Sequence, residues 1–214
     1  MNGQQMTEEE LMRALGASEP EGFVTTDWEY DVIQSLTLLY DALSKLEADP
    51  GYAVKWSLIA AHSAATSALA SHLSGSYGIG ALEKRDFRKA RQALDEGLML
   101  PSKEHMASFS ELLKRATSAD EKLEPIGGAM TGPLRLTSGD GVLLERLNTL
   151  RNRYIHFRFG GWSLQIAYAI DGVAAGLRLI DAINDYGWGL VGENSEKIAE
   201  QVKECSAILK EHSA

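Results

Sequence analysis

The sequence predicts an all-α protein built as a helical bundle, and three observations carry that prediction. Apolar residues recur at three- and four-residue spacing through most of the chain, as on one face of a 3.6-residue helix. Most of the glycines and prolines fall between these stretches, where they can end helices. No stretch shows the strict alternation of a half-buried strand, and there is no internal repeat or low-complexity tract.

Taken in order, Thr7 with Glu10 forms a capping box for a short first helix that ends near Gly16, and Ala17 to Gly22, with Pro20, reads as a linker. Thr26 or Asp27 can cap a long helix carrying Ile33, Leu36, Leu39, Leu43 and Leu46 until Asp49-Pro50 stops it. Tyr52 to Leu73 follows as a helix dense in Ala and Ser, which lets a neighbouring backbone approach closely. Gly75, Gly78 and Gly80 end it. Leu82 to Leu98 and Ser102 to Thr117 make two further helices separated by Pro101. Pro125 to Gly141 is a glycine-rich connector, since it lacks the Lys followed by Ser or Thr of a phosphate loop and no strand precedes it.

The next helix is capped by Ser138 or Asp140 and runs to about Phe157, with Leu143, Leu147, Leu150, Tyr154 and Phe157 as its apolar stripe. Gly160 and Gly161 end it. Trp162 to Tyr186 forms the following helix, with Ile166, Ile170, Val173, Leu177 and Ile180 inward, and Gly187-Trp188-Gly189 breaks it. The last helix, capped by Asn194 or Ser195, puts Ile198, Val202, Cys205 and Leu209 on one face. The organisation expected is an N-terminal short helix and linker over 1–25, a helical domain over 26–186 with a helical insertion at about 82–133, and a C-terminal amphipathic helix over 187–214.

Composition narrows the function. With 214 residues, 44% hydrophobic and 24% charged, the chain can bury a core of its own. Its single cysteine, Cys205, cannot form an internal disulfide, which points to a reducing compartment, and no segment reads as a signal peptide or membrane span, so a cytoplasmic protein is expected. A net charge of −9 argues against nonspecific coating of nucleic acid, so any RNA must be held locally. Lys84, Arg85, Arg88, Lys89 and Arg91 cluster on one helix and read first as a solvated face.

The helix faces must carry any site. His62, His72, His105, His156 and His212 are scattered without metal-ligand spacing, and neither a metal nor another cofactor is called for. Leu147 to His156 stands out, because it places Arg151, Asn152 and His156 within six residues. Projected at about 100° per residue, Asn152 and His156 share a face with Glu145, Asn148 and Thr149, opposite the leucines, while Arg151 flanks the stripe. The trio therefore belongs to solvent or to a surface meeting another helix. Arg153, Arg158 and His156 near a helix C-terminus are also favourable with its dipole, whatever the function.

The run Leu150-Arg151-Asn152-Arg153-Tyr154-Ile155-His156-Phe157 at the end of an apolar helix resembles the signature of the HEPN superfamily, an Arg followed within four to six residues by a His. The likeness extends more loosely from about Thr26 to Tyr186, whereas Leu82 to Pro133 and the last helix find no counterpart. It implies a HEPN-like up-and-down bundle with additional helices, dimerised so that two copies of the motif meet. It further implies metal-independent RNA cleavage in a defence or toxin-antitoxin context, with an antitoxin or defence-system protein as partner and no membrane association.

Under that resemblance Arg151, Asn152 and His156 are the catalytic candidates, and Arg153, Arg158, Lys84 and Arg88 are candidates for RNA contact. Histidine titrates near neutral pH, which suits His156 to the role of base or acid. Arg151 offers a guanidinium fork to phosphate oxygens, and Asn152 can orient either partner. One chain supplies one histidine at the motif, so base and acid together require two chains. The alternative is a non-catalytic interaction module, or a nucleotide- or ligand-binding one, on the same bundle.

Overall fold

The computed structural model describes residues 27–74, 78–100, 105–118, 133–156, 162–186 and 193–212. The expected N-terminal capping box and linker, most of the glycine-rich connector, Phe157, Arg158, the Gly160-Gly161 stop and the Gly187-Trp188-Gly189 break lie outside them. Among the described residues the chain is all-α: α1 is Trp28–Leu43, α2 Pro50–Ser74, α3 Lys84–Asp95, α4 Phe109–Thr117, α5 Ser138–Ile155, α6 Ile166–Tyr186 and α7 Glu193–Glu211. None of these helices is long and apolar enough to cross a membrane.

The Ala-rich α2 is the hub of the bundle. It packs against α1, α4, α5 and α6, and Ala60, Ala61, Ala64, Ala65 and Ala68 are all buried. Small side chains let four neighbours come close to one axis, which larger ones would hold apart. The same economy operates on α6. A Cβ built at Gly176 would lie 3.2 Å from Leu147 Cδ2 and 3.7 Å from Ala61 Cβ, so this glycine seats α6 against α5 and α2 together. The C-terminal α7 rests on α1 and α6, with Ile198, Val202, Cys205 and Leu209 buried as its spacing predicts. Burial pushes the Cys205 thiol up to about 12, as expected of a packing cysteine.

Several boundaries differ from the sequence reading, each for a local reason. α1 stops at Leu43, before Asp49-Pro50, because Ser44 turns its hydroxyl back onto the Tyr40 carbonyl at 2.7 Å. Pro50 opens α2 instead, a position where its missing N–H is not needed, and Asp49 Oδ1 accepts from the Tyr52 N–H at 3.0 Å. The cap of α5 is Thr137. Its hydroxyl and the Asp140 carboxylate bond each other's backbone N–H in a capping box. Asp140 also accepts from Arg178 Nη2 at 2.6 Å, tying the start of α5 to α6. α6 begins at Ile166 rather than at Trp162, since Trp162 packs back on Tyr154 with ring centroids 4.9 Å apart. The buried stripe of α5 is centred on Leu144, Leu147 and Leu150, while Leu143 and Tyr154 are only partly buried, because α2 and α4 cover a side of the helix beyond the one that meets α6.

α3 stands apart on a small apolar cluster of Ile79, Leu82 and Ala90, with Phe87 and Leu94 against it. It is joined to the main body through the Leu82–Met106 bridge and through Arg115, whose guanidinium donates to the carbonyls of Leu82 at 2.7 Å and Gly80 at 3.2 Å.

Candidate functional site

The C-terminal half of α5 forms a polar seam against α2 and α4, and hydrogen-bond direction can be followed along it. Arg151 Nη1 donates to Asn152 Oδ1 at 2.9 Å, and Asn152 Nδ2 donates to Asn148 Oδ1 at 3.3 Å. Asn148 Nδ2 donates to Ser110 Oγ at 3.3 Å, and Ser110 donates to Glu145 Oε2 at 2.8 Å. A cation thus stands at one end of the chain and a carboxylate at the other, with the amides oriented between them. The helical period produces the seam, since Asn148 and Asn152 are one turn apart on α5.

His62 joins this network from α2. Its Nε2 lies 3.1 Å from Asn148 Oδ1, an acceptor, so Nε2 carries the proton and Nδ1 is left facing Thr66 Oγ1 at 3.4 Å. The ring also packs on Phe109 with centroids 4.7 Å apart. Burial, reinforced by the charge of Arg151 and opposed by the Asn148 bond, lowers the imidazole to about 4. At neutral pH it is therefore an uncharged structural and hydrogen-bonding group.

Arg151 is half-buried, and the loss of solvation lowers its pKa as well. Its guanidinium lines an open cleft of about 480 Å³ between the start of α1, α2 and the end of α5, together with His62, Thr66, Asp27 and Asp31. Ser67 holds the Asp31 carboxylate through its hydroxyl. The cleft thus offers one fixed cation beside two carboxylates, suited to a ligand carrying both a negative group and hydrogen-bond donors.

His156 takes no part in this cleft. It is the C-cap of α5, exposed, with its backbone N–H on the Asn152 carbonyl at 3.0 Å. Five residues at 3.6 per turn carry it about 140° around the axis from Arg151. Of the secondary candidates, Arg153 is exposed and sits over the Trp162 ring at 5.8 Å, and Arg158 lies outside the described residues. Lys84 and Arg88 are exposed on α3 and line neither the Arg151 cleft nor the groove beside Arg153, in keeping with a solvated face. Among the described residues no three His, Cys, Asp or Glu side chains gather as metal ligands.

Sequence reasoning singled out Arg151 and Asn152 and missed their neighbour His62. A signal existed: His62, Ser63, Thr66 and Ser67 form a polar stripe at one-turn spacing on an otherwise apolar helix. Comparison with known proteins finds no matching family model, no matching curated protein and no matching solved structure.

Proposed function

We propose that this protein is a metal-independent endoribonuclease of HEPN type, acting as a homodimer in which Arg151, Asn152 and His156 of two protomers share one site. The observation that supports it best is the division of labour at the end of α5. Arg151 is oriented by Asn152 and opens on a cleft, while His156 at the exposed C-cap is free to meet a second molecule. Within one chain the two project about 140° apart, so a reaction needing both at one phosphate needs a second copy.

The chemistry follows from those groups. One His156 takes the proton of a 2′-hydroxyl, whose oxygen attacks the adjacent phosphorus. Arg151 neutralises the charge that builds on the phosphorane oxygens, and the partner's His156 protonates the departing 5′-oxygen, leaving a 2′,3′-cyclic phosphate. A defence or toxin role, with a protein that restrains the activity, is the setting this reaction fits.

The test is incubation with single-stranded RNA in EDTA. Wild type releases fragments ending in 2′,3′-cyclic phosphate and His156→Ala does not. Equal cleavage by both rejects the proposal. A second reading is favoured by the His62 network. Because Arg151 is joined to a neutral histidine inside one protomer, the cleft can hold a nucleotide or another small anionic ligand without catalysis. Nucleotide binding that Arg151→Ala abolishes, in a protein that leaves RNA intact, selects that reading.

A further inference from the structure

On the other side of α5 from Arg151 lies a second cleft, of about 300 Å³, between α5 and the segment leading into α6. Arg146, Thr149 and Arg153 line it from the helix, and Trp162, Gln165 and Tyr168 face them. Both aromatic residues remain partly exposed, Trp162 at 39% and Tyr168 at 43%. Each carries a guanidinium over it: Arg146 Cζ lies 3.8 Å from the Tyr168 centroid, and Arg153 Cζ lies 5.8 Å from that of Trp162. The second distance is at the outer limit of a cation–π contact, so Arg153 is held near the ring without closing it.

The charges here are unusual for so acidic a chain. Arg146 meets Asp171 at 3.4 Å, but Arg153 has no carboxylate within ion-pair distance among the described residues. A cleft combining partly exposed aromatic side chains, of which Trp162 also packs on Tyr154, a guanidinium with no carboxylate partner among the described residues and small polar side chains matches the repeating chemistry of a single-stranded polynucleotide. Its bases stack on aromatic rings and its phosphates seek arginine. A duplex, with its bases already stacked on one another, would leave these rings unused.

We propose that this cleft binds single-stranded RNA, with a base against Trp162 and the neighbouring phosphate on Arg153. Its position deepens the proposed function. Arg153 lies three residues and Thr149 seven residues before His156, about 60° and 20° away around the helix, so the cleft opens on the His156 side of α5 rather than the Arg151 side. A strand laid along it runs toward His156. That the strand is then cut rests on the ribonuclease reading; that it binds does not.

Fluorescence anisotropy of a labelled single-stranded oligonucleotide in EDTA tests this. The DNA version lacks the 2′-hydroxyl and reports binding alone. Wild type binds it. Arg153→Glu, at an exposed position that leaves the fold intact, weakens binding roughly tenfold or more and lowers the slope of log affinity against log salt by about 1. Trp162→Ala weakens it by roughly tenfold, while Trp162→Phe retains most of it. No binding by folded wild type, or binding unchanged in both Arg153→Glu and Trp162→Ala, overturns the inference. RNA cleavage with an unaltered KM in those variants overturns it while sparing the ribonuclease reading. Binding as described without any cleavage upholds the cleft and rejects that reading.

Discussion

His62 on α2 places Nε2 3.1 Å from the side-chain oxygen of Asn148 on α5, and through Asn152 that contact reaches the Arg151 guanidinium. The bond fixes which imidazole nitrogen bears the proton, and it puts a neutral histidine, not the motif histidine, beside the motif arginine. Its pKa of about 4 has a direct thermodynamic consequence.

A base whose folded pKa is depressed binds its proton more readily in the unfolded chain, so stability is lost as pH falls from the unfolded value near 6.5 toward 4. The contribution at stake is on the order of 3 kcal/mol. Wild type should lose stability in urea titrations between pH 7 and pH 4, and His62→Gln, which keeps a donor for Asn148 but does not titrate, should lose much less over that range. Parallel slopes for the two proteins would count against a buried neutral His62.

Glu29 should behave in the opposite sense. It is 4% exposed, and among the described residues its Oε1 has no hydrogen-bond partner while its other oxygen accepts from Asn194 Nδ2 at 3.1 Å. Burial raises its pKa; the Asn194 bond opposes this and the charge of Asp27 adds to it. A carboxylate with a raised folded pKa favours the fold below its unfolded pKa and opposes it as pH rises through the folded value. Glu29→Gln should therefore raise Tm at pH 7 to 8, with the gain shrinking toward pH 4. A Tm difference that does not vary with pH would refute the assignment.

The glycines of α6 make a contrasting pair. At Gly172 an added Cβ would find its nearest neighbour, Leu147 Cβ, at 3.4 Å, an ordinary contact, so Gly172→Ala should be neutral or stabilise by up to about 1 kcal/mol through helix propensity. At Gly176 the approach is 3.2 Å to a fully buried Leu147, so Gly176→Val should destabilise by about 1–3 kcal/mol. Denaturant midpoints of the two variants check this, and a tolerated valine would mean that α6 is not seated as described.

If the proposed reaction is the right one, His156→Ala should lower kcat/KM by about 10²- to 10⁴-fold, the usual cost of losing a proton-transfer group. Arg151→Ala should lower it by about 10²- to 10³-fold. Wild type mixed with an excess of His156→Ala should lose most of its activity once subunits exchange, since a mixed dimer keeps one His156 where the reaction needs both a base and an acid. Activity that simply follows the amount of wild type present would argue against a site shared between chains.

Much of the architecture was legible in the sequence, because helices advertise themselves locally. The three- and four-residue apolar spacing of Ile198, Val202, Cys205 and Leu209 needs no knowledge of what it packs against, and those residues are buried as the spacing requires. Helix ends were less legible. They depend on which of several capable side chains wins a cap, and Thr137 takes the role for which the sequence offers Ser138 or Asp140. The candidate site was half legible. Asn152 and Asn148 could be placed on one face from their spacing alone, but nothing in the spacing says what that face meets.

By itself the sequence determined the all-α class, most of the buried faces, though not Ile166, which is exposed, and the standing of Arg151 and Asn152 at one end of a helix, since all of these follow from periodicity within about twenty residues. Only the tertiary structure decided that His62, 86 residues before Asn148, joins them, that His156 stays outside, and that Arg153 stands over Trp162 at the edge of a separate cleft. Those outcomes depend on how close α2 comes to α5, a distance set by the alanines of α2 and by Gly176, whose small sizes carry no chemical label of their own, and by Leu147 packed between them.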